Sequence, residues 1–185
     1  MQFDFRALSP LQRYKLLTDA IKPRPIAWVT TLSASGVLNA APFSFFNAMG
    51  HAPPILAIGF LLGPDGLLKD TVNNIVETGE FVVNLVPERL RAAMSETARE
   101  LPPDEDELAL GGLATLPSIS IAPPRIAESP VNFECRRLEA FWSSPTQVMM
   151  IGEVLVAHVG DSYLTSAEDF QIDVASLGLL RSGRQ

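Results

Sequence analysis

Cysteine, histidine and lysine are all scarce in this 185-residue chain, and each shortage removes a class of chemistry. The single cysteine, Cys135, excludes an internal disulfide and fits a reducing compartment. Two histidines, His51 and His158, are too few and too far apart to suggest a metal cluster. Long apolar runs are missing too: no stretch approaches the ~20 residues of a membrane helix. The start, MQFDFRALSP, lacks the basic residues and apolar core of a signal peptide, so a cytoplasmic protein is expected. Positive charge is short, with 14 Lys and Arg against 21 Asp and Glu and a net charge of -7. That balance argues against nucleic-acid binding and against docking on anionic lipid.

Motifs of nucleophilic catalysis are absent as well. No serine sits in a G-x-S-x-G elbow, and neither Cys135 nor a serine has a histidine at motif spacing. Cys135 lies in the strand-like FECRRL, where a buried structural thiol is the expectation. There is no G-x-G-x-x-G, and Gly111-Gly112 follows an acidic loop rather than a strand, so a Rossmann dinucleotide turn is excluded. The four adjacent acids within PPDEDELALGG, residues 102 to 112, lack the spacing of a calcium loop and read as a solvated turn or helix start.

What remains is an apolar, β-rich chain. Charged residues are 19%, against about 25% in an average domain. Apolar residues are 47% and the mean hydropathy is +0.20. A surface so thinly supplied with charge suggests a buried subunit interface, and a homodimer is the usual way to build one. The length fits one domain spanning 1–185.

Ser9-Pro10 opens a first helix with Leu11, Tyr14, Leu17 and Ile21 on one face, stopped at Pro23. Pro25 to Leu32 reads as a strand, Ser33 to Gly36 as a turn and Val37 to Ala41 as the return. Ile55 to Phe60 is a further strand, followed by a loop from Leu61 to Leu68. In KDTVNNIVETG, residues 69 to 79, Asp70 or Thr71 can cap a short helix with an apolar face of Val72, Ile75 and Val76, and Gly79 fits its C-terminal left-handed cap. Phe81 to Val86 is a strand, Glu88 to Arg99 an exposed helix, and Val131 to Trp142 and Val148 to His158 are two long strands. Helices inserted among strands without βαβ alternation predict a mainly β barrel with helical excursions.

Two segments carry candidate chemistry. The loop holding Phe43, Phe45 and Phe46 with Ser44 and Asn47 offers flat apolar faces beside hydrogen-bonding groups. That suits a planar heteroaromatic ligand, and it equally suits an aromatic cluster beneath a loop. Lys69, Asp70 and Thr71 stand at a helix start, where backbone N–H groups and the helix dipole favour a phosphate. The alternative is that Asp70 caps the helix while Lys69 is solvated. Thr30 and Thr31 place hydroxyls at the end of the first strand, where threonine is also an ordinary strand residue.

Taken together these segments resemble the flavin reductase-like, FMN-binding split-barrel family, and in particular its flavoprotein oxygenase branch. The similar pieces are RPIAWVTTLSASGVLNAAPFSFFNAMG at 24 to 50, Pro53-Pro54 and the strand to residue 60, KDTVNNI at 69 to 75, and GEFVVNLV at 79 to 86. Further likeness runs through Glu107 to Leu113, Glu128 to Leu138 and IGEVLVAHV at 151 to 159. The resemblance implies a six-stranded antiparallel split β-barrel with peripheral helices that forms a homodimer, with FMN, or alternatively FAD, in a groove at or near the subunit interface. It further implies that Thr30, Thr31, Phe43, Ser44, Phe45, Phe46 and Asn47 line the flavin and that Lys69, Asp70 and Thr71 hold the phosphate end. NADH or NADPH would be the transient electron donor, and a small molecule, free flavin or an oxygenase partner the acceptor. A non-turnover electron carrier serving a partner protein is the alternative. His51 departs from the family pattern, which commonly has a small or polar residue there.

Overall fold

Ala27–Leu32 (β1) and Leu38–Phe43 (β2) form the expected hairpin, turned through Ser33 to Gly36. Gly36 has a φ of 84°, which an L side chain rarely adopts, and its N–H donates to the Ser33 carbonyl at 2.9 Å. The computed structural model describes residues 1–61, 67–99 and 107–182. Five more strands complete the main sheet: Phe46–His51 (β3), Pro54–Leu61 (β4), Glu80–Leu85 (β5), Val131–Ser144 (β6) and Gln147–Val159 (β7). All pairings are antiparallel, in the order β2-β1-β5-β6-β7-β4-β3.

The two edge strands of this sheet, β2 and β3, are consecutive in the chain and separated only by Ser44 and Phe45. The chain therefore carries the sheet from one edge to the other. Gly59 of β4 donates its N–H to the Phe45 carbonyl at 2.7 Å, and the Phe43 ring meets Phe60 edge-on at 4.5 Å. The result is the split barrel. It has seven strands where six were expected, because Phe46–His51, which reads as loop from its Asn, Gly and His, pairs along β4. Edge pairing to a neighbour supplies the order that local propensity does not.

Both faces of β1 are buried, which is why its sequence runs almost continuously apolar. Ala27 and Val29 join the barrel interior with Phe43, Ile58, Phe60, Phe81, Val83, Cys135 and Met150. Trp28, one residue out of phase, packs on the other side with Ala40, Val86, Leu108, Ile126 and Leu180. Its indole N–H donates to Thr97 Oγ1 at 2.9 Å.

Among the described residues four α-helices accompany the sheet. Pro10–Ala20 (α1) starts with a full capping box between Ser9 and Gln12. Its apolar face is largely left open, with Leu11, Tyr14, Leu17 and Ile21 75, 45, 46 and 61% exposed and Tyr14 touching the Phe45 ring edge-on. Asp70–Thr78 (α2) inserts Val72 and Ile75 into the barrel core, while Val76, expected on the same face, is exposed. Gly79 closes α2 in the left-handed conformation with φ 75°. The single helix expected over Glu88 to Arg99 is instead a 3-10 turn, Glu88–Leu90, and a short helix, Arg91–Glu96 (α3). The first turn is diverted because Glu88 donates its N–H to the Gly178 carbonyl and Pro87 bridges to Leu179. Most of the acidic stretch, residues 100–106, lies outside the described residues, as does 62–66 of the loop before α2; the acidic run ends in Glu107–Leu110 (α4). Among the described residues no helix is long and apolar enough to cross a membrane.

Candidate functional site

The alternation of β1 separates the two threonines. Thr31 faces α2, where its hydroxyl accepts from Asn74 Nδ2 at 3.0 Å, and on β2 Asn39 Nδ2 donates to Thr71 Oγ1 at 2.9 Å. These two buried bonds lock the hairpin to the start of α2. Thr30 points the opposite way: its hydroxyl donates to the Pro124 carbonyl at 2.6 Å and accepts from Asn84 Nδ2 at 3.3 Å. Asn84 is itself a buried crosslink, donating to the Trp28 carbonyl and accepting from Ile126 N and Asn132 Nδ2 at 2.9, 2.9 and 2.8 Å. Thr30 thus belongs to a structural network on the far face of the sheet.

At the start of α2, Lys69 occupies the cap position in extended backbone conformation, and no side chain caps the helix. The alternative in which Asp70 serves as the cap is therefore not realised. Asp70 is the first helical residue and Thr71 is buried beside it. An uncapped helix start keeps its positive end available to an anion. The Lys69 ammonium lies 5.9 Å from the centroid of Phe43 and has no ion-pair partner among the described residues. Lys69 and the end of β2 are therefore neighbours, although 26 positions separate Lys69 from Phe43 in the sequence.

The aromatic segment divides. Phe43 is core, packed on Phe60. Phe46 is partly buried against the same core from the first position of β3, and Asn47 is exposed, its Oδ1 accepting from Ala48 N at 2.9 Å. Only Ser44 and Phe45 remain as loop. Phe45 is clasped from outside by Tyr14 of α1, edge-on at 6.0 Å, and by the Arg24 guanidinium, 5.9 Å above its ring. Arg24 in turn donates to the Thr18 and Ile21 carbonyls at the end of α1, at 2.6 and 2.8 Å. The Ser44 hydroxyl makes no hydrogen bond to a described residue and opens on a cleft of about 320 Å³ with Ile26, Met94, Arg91 and Arg181 among its walls. Arg91, Met94, Leu180 and Arg181 were not foreseen from the sequence. No local motif marks them: Arg91 and Met94 come from α3, and Leu180 and Arg181 reach the cleft because residues 178 to 182 return to pair beside Val86 and Pro25.

A second polar centre lies away from this cleft. Glu134 of β6 is fully buried and accepts from Ile119 N and Ser120 N, both at 2.8 Å, and pairs with His158 Nε2 of β7 at 2.6 Å. Burial acts to raise its carboxyl, and the two backbone N–H groups with His158 outweigh burial and hold it below the ordinary value of 4.5. Next to it, burial first and the Glu134 charge second push the Cys135 thiol well above its ordinary value, leaving an inert core residue.

The family model described as flavin reductase like domain matches residues 21–173. The chain belongs to the flavin reductase-like family. Solved structures agree with the assignment. Nitrilotriacetate monooxygenase component B from Bacillus cereus superposes with a TM-score of 0.89 at 33% identity, covering 100% of this chain and 96% of that one. The 2-nitrobenzoate 2-nitroreductase of Pseudomonas fluorescens gives 0.86 at 31% identity, covering 100% and 93%. A protein with a split barrel domain from Shewanella frigidimarina shares the fold, with a TM-score of 0.82 at 20% identity over 100% and 93% of the two chains. This flavin reductase-like protein is accordingly a flavin-related redox protein. The donor set near β2 suits such a ligand: among the described residues, a lysine without an ion-pair partner at a helix start without a side-chain cap for a phosphate, and a Ser44 hydroxyl without a hydrogen bond beside aromatic surface for a ring system. Thr30, Thr31 and Thr71 already spend hydroxyl bonds within the protein.

Proposed function

We propose that this protein is an FMN-dependent oxidoreductase that takes electrons from NADH or NADPH and passes them to a small acceptor, to free flavin or to an oxygenase partner. The observation that carries the reading is the meeting of Lys69, at the uncapped start of α2, with the Phe43 end of β2. In this reading Lys69 and the backbone at Asp70 and Thr71 hold the phosphate. Ser44 and Asn47 hydrogen-bond the ring system, and Phe43, Phe45 and Phe46 supply apolar walls. Thr30 and Thr31 act from behind by fixing the hairpin. A bound flavin would supply the two-electron redox chemistry between the dihydronicotinamide and the acceptor. The protein binds, orients and shields it, so no side chain need serve as acid or base. Homodimer formation is part of the proposal and is supported by the exposed apolar face of α1.

The test is the cofactor content and absorbance spectrum of the purified protein, followed by affinity for FMN and riboflavin in Lys69→Ala. A charge-assisted bond of about 1.5–3 kcal/mol predicts FMN weakened by about 10- to 100-fold with riboflavin nearly unchanged. A protein that gains no flavin absorbance on incubation with FMN refutes the reading, and equal loss of both ligands refutes the role of Lys69. Bound FMN without NAD(P)H oxidation above background favours an electron carrier reduced by a partner.

A further inference from the structure

Among the described residues Arg181 is a cation without a partner, and it lines three clefts. These are the cleft of about 320 Å³ that begins at Ser44, the neighbouring one of about 810 Å³ that continues past Gly178 and Val174, and a smaller one of about 270 Å³ behind Ile26 and Leu180. Its backbone is held firmly: Arg181 pairs with Pro25, Leu180 N donates to the Val86 carbonyl at 2.7 Å, and Arg24 Nη2 reaches Ser182 Oγ at 3.0 Å. Its guanidinium, by contrast, makes no hydrogen bond or ion pair with a described residue. Arg91, the other cation shared by the first two clefts, is already neutralised by a bidentate pair with Glu88 at 2.7 and 3.0 Å. Glu88 is the one acidic residue lining either cleft among the described residues, so Arg181 sets the sign of the site. In a chain of net charge -7, that makes it a local positive focus on an otherwise negative molecule.

The first two clefts share Arg91 and Arg181 in their walls, so an occupant that reaches both passes these cations and has apolar surface at Ile26 and Met94 on the Ser44 side. Its near end is at Ser44, where the flavin reading places the ring system. We propose that these two clefts take the phosphate-bearing arm of the reduced pyridine nucleotide, with Arg181 gripping its phosphates and so aligning the nicotinamide on the Ser44 side. This rests on the flavin reading for its near end. A planar, multiply donating guanidinium suits a pyrophosphate better than a point-charge ammonium does.

The experiment compares wild type, Arg181→Gln and Arg181→Lys as purified flavin-loaded protein, with NADH, NADPH and the phosphate-free donor 1-benzyl-1,4-dihydronicotinamide. Arg181→Gln is expected to raise KM for the dinucleotides about tenfold or more, with kcat at saturation within about twofold, while the benzyl donor reacts equally with both proteins. Arg181→Lys should recover part of the loss. Unchanged KM in a flavin-loaded Arg181→Gln variant overturns the assignment while leaving the flavin reading intact. Loss of FMN affinity without loss of riboflavin affinity also overturns it, by giving the cleft to the flavin's own phosphate. A wild-type protein that binds no flavin removes the flavin reading itself and this site with it.

Discussion

Replacing Glu134 by glutamine tests the buried polar centre quantitatively. The carboxylate has one oxygen on Ser120 N and the other shared by Ile119 N and His158 Nε2, all within 2.8 Å, and Glu134 itself is fully buried beneath partners that are partly open to water. An amide of the same shape keeps a single acceptor oxygen and turns an N–H toward whatever the second oxygen served. One buried donor is then unpaired, at about 1–3 kcal/mol, and the remaining bonds lose charge assistance worth roughly half their strength. The sum is about 3 kcal/mol at pH 7, or a fall in Tm of roughly 6–12 °C for a chain of this size. The pH dependence follows from the lowered pKa. The unfolded carboxyl binds its proton near 4.5 and the folded one only at lower pH. The contribution is therefore complete above the unfolded value and is lost as pH falls through the folded one. Urea denaturation from pH 7 down to pH 3 should show wild type and Glu134→Gln converging in acid. A gap below about 1 kcal/mol at neutral pH, or one that persists unchanged at pH 3, refutes the reasoning.

Gly152 of β7 lies against the buried Phe81 ring: a methyl group there would collide with Phe81 Cζ and sit 3.5 Å from Cys135 Cβ. Gly152→Ala should cost about 1–3 kcal/mol by overpacking, a drop of roughly 2–12 °C read by calorimetry, whereas an unchanged Tm means the ring has room to move. Leu17→Lys places a charge in the exposed apolar face of α1, and the proposed homodimer predicts that it shifts sedimentation from dimer toward monomer at micromolar concentration. A variant that sediments as wild type places the subunit contact elsewhere.

Local signals were legible wherever the physics is local. Ser9-Pro10 and Gly79 marked helix ends correctly because caps act within one turn. The two long strands β6 and β7 were found within two residues because their β-forming residues run up to a Ser-Ser-Pro turn that separates them. Position 46 to 51 failed for the opposite reason: its strand exists by pairing with β4, which propensity does not register. The same limit applies to function. Thr30 and Thr31 look equivalent in sequence, yet the strand alternation sends one to the Asn84 network and the other to α2. That the helix start at 69 to 71 and the aromatic segment belong together could be drawn only from likeness to a family, and the contact itself depends on the closed sheet. Arg181 stood outside every motif, since what distinguishes it is a long-range return of the chain and the lack of a partner among the described residues.

The passage of β2 into β3 through Ser44 and Phe45 has an evolutionary consequence. Those two residues are the seam of the barrel, with Gly59 bonded to the Phe45 carbonyl and packed against its side chain. Substitutions there alter the fold's closure along with whatever lies against it, so they are poor material for diversification. The surface around Arg181, Val174 and Gly178 hangs outside the barrel and can vary without opening it. A lineage acquiring new reactants can therefore be expected to keep the seam and rewrite the outer cleft, which separates inheritance of the redox centre from the history of what it serves.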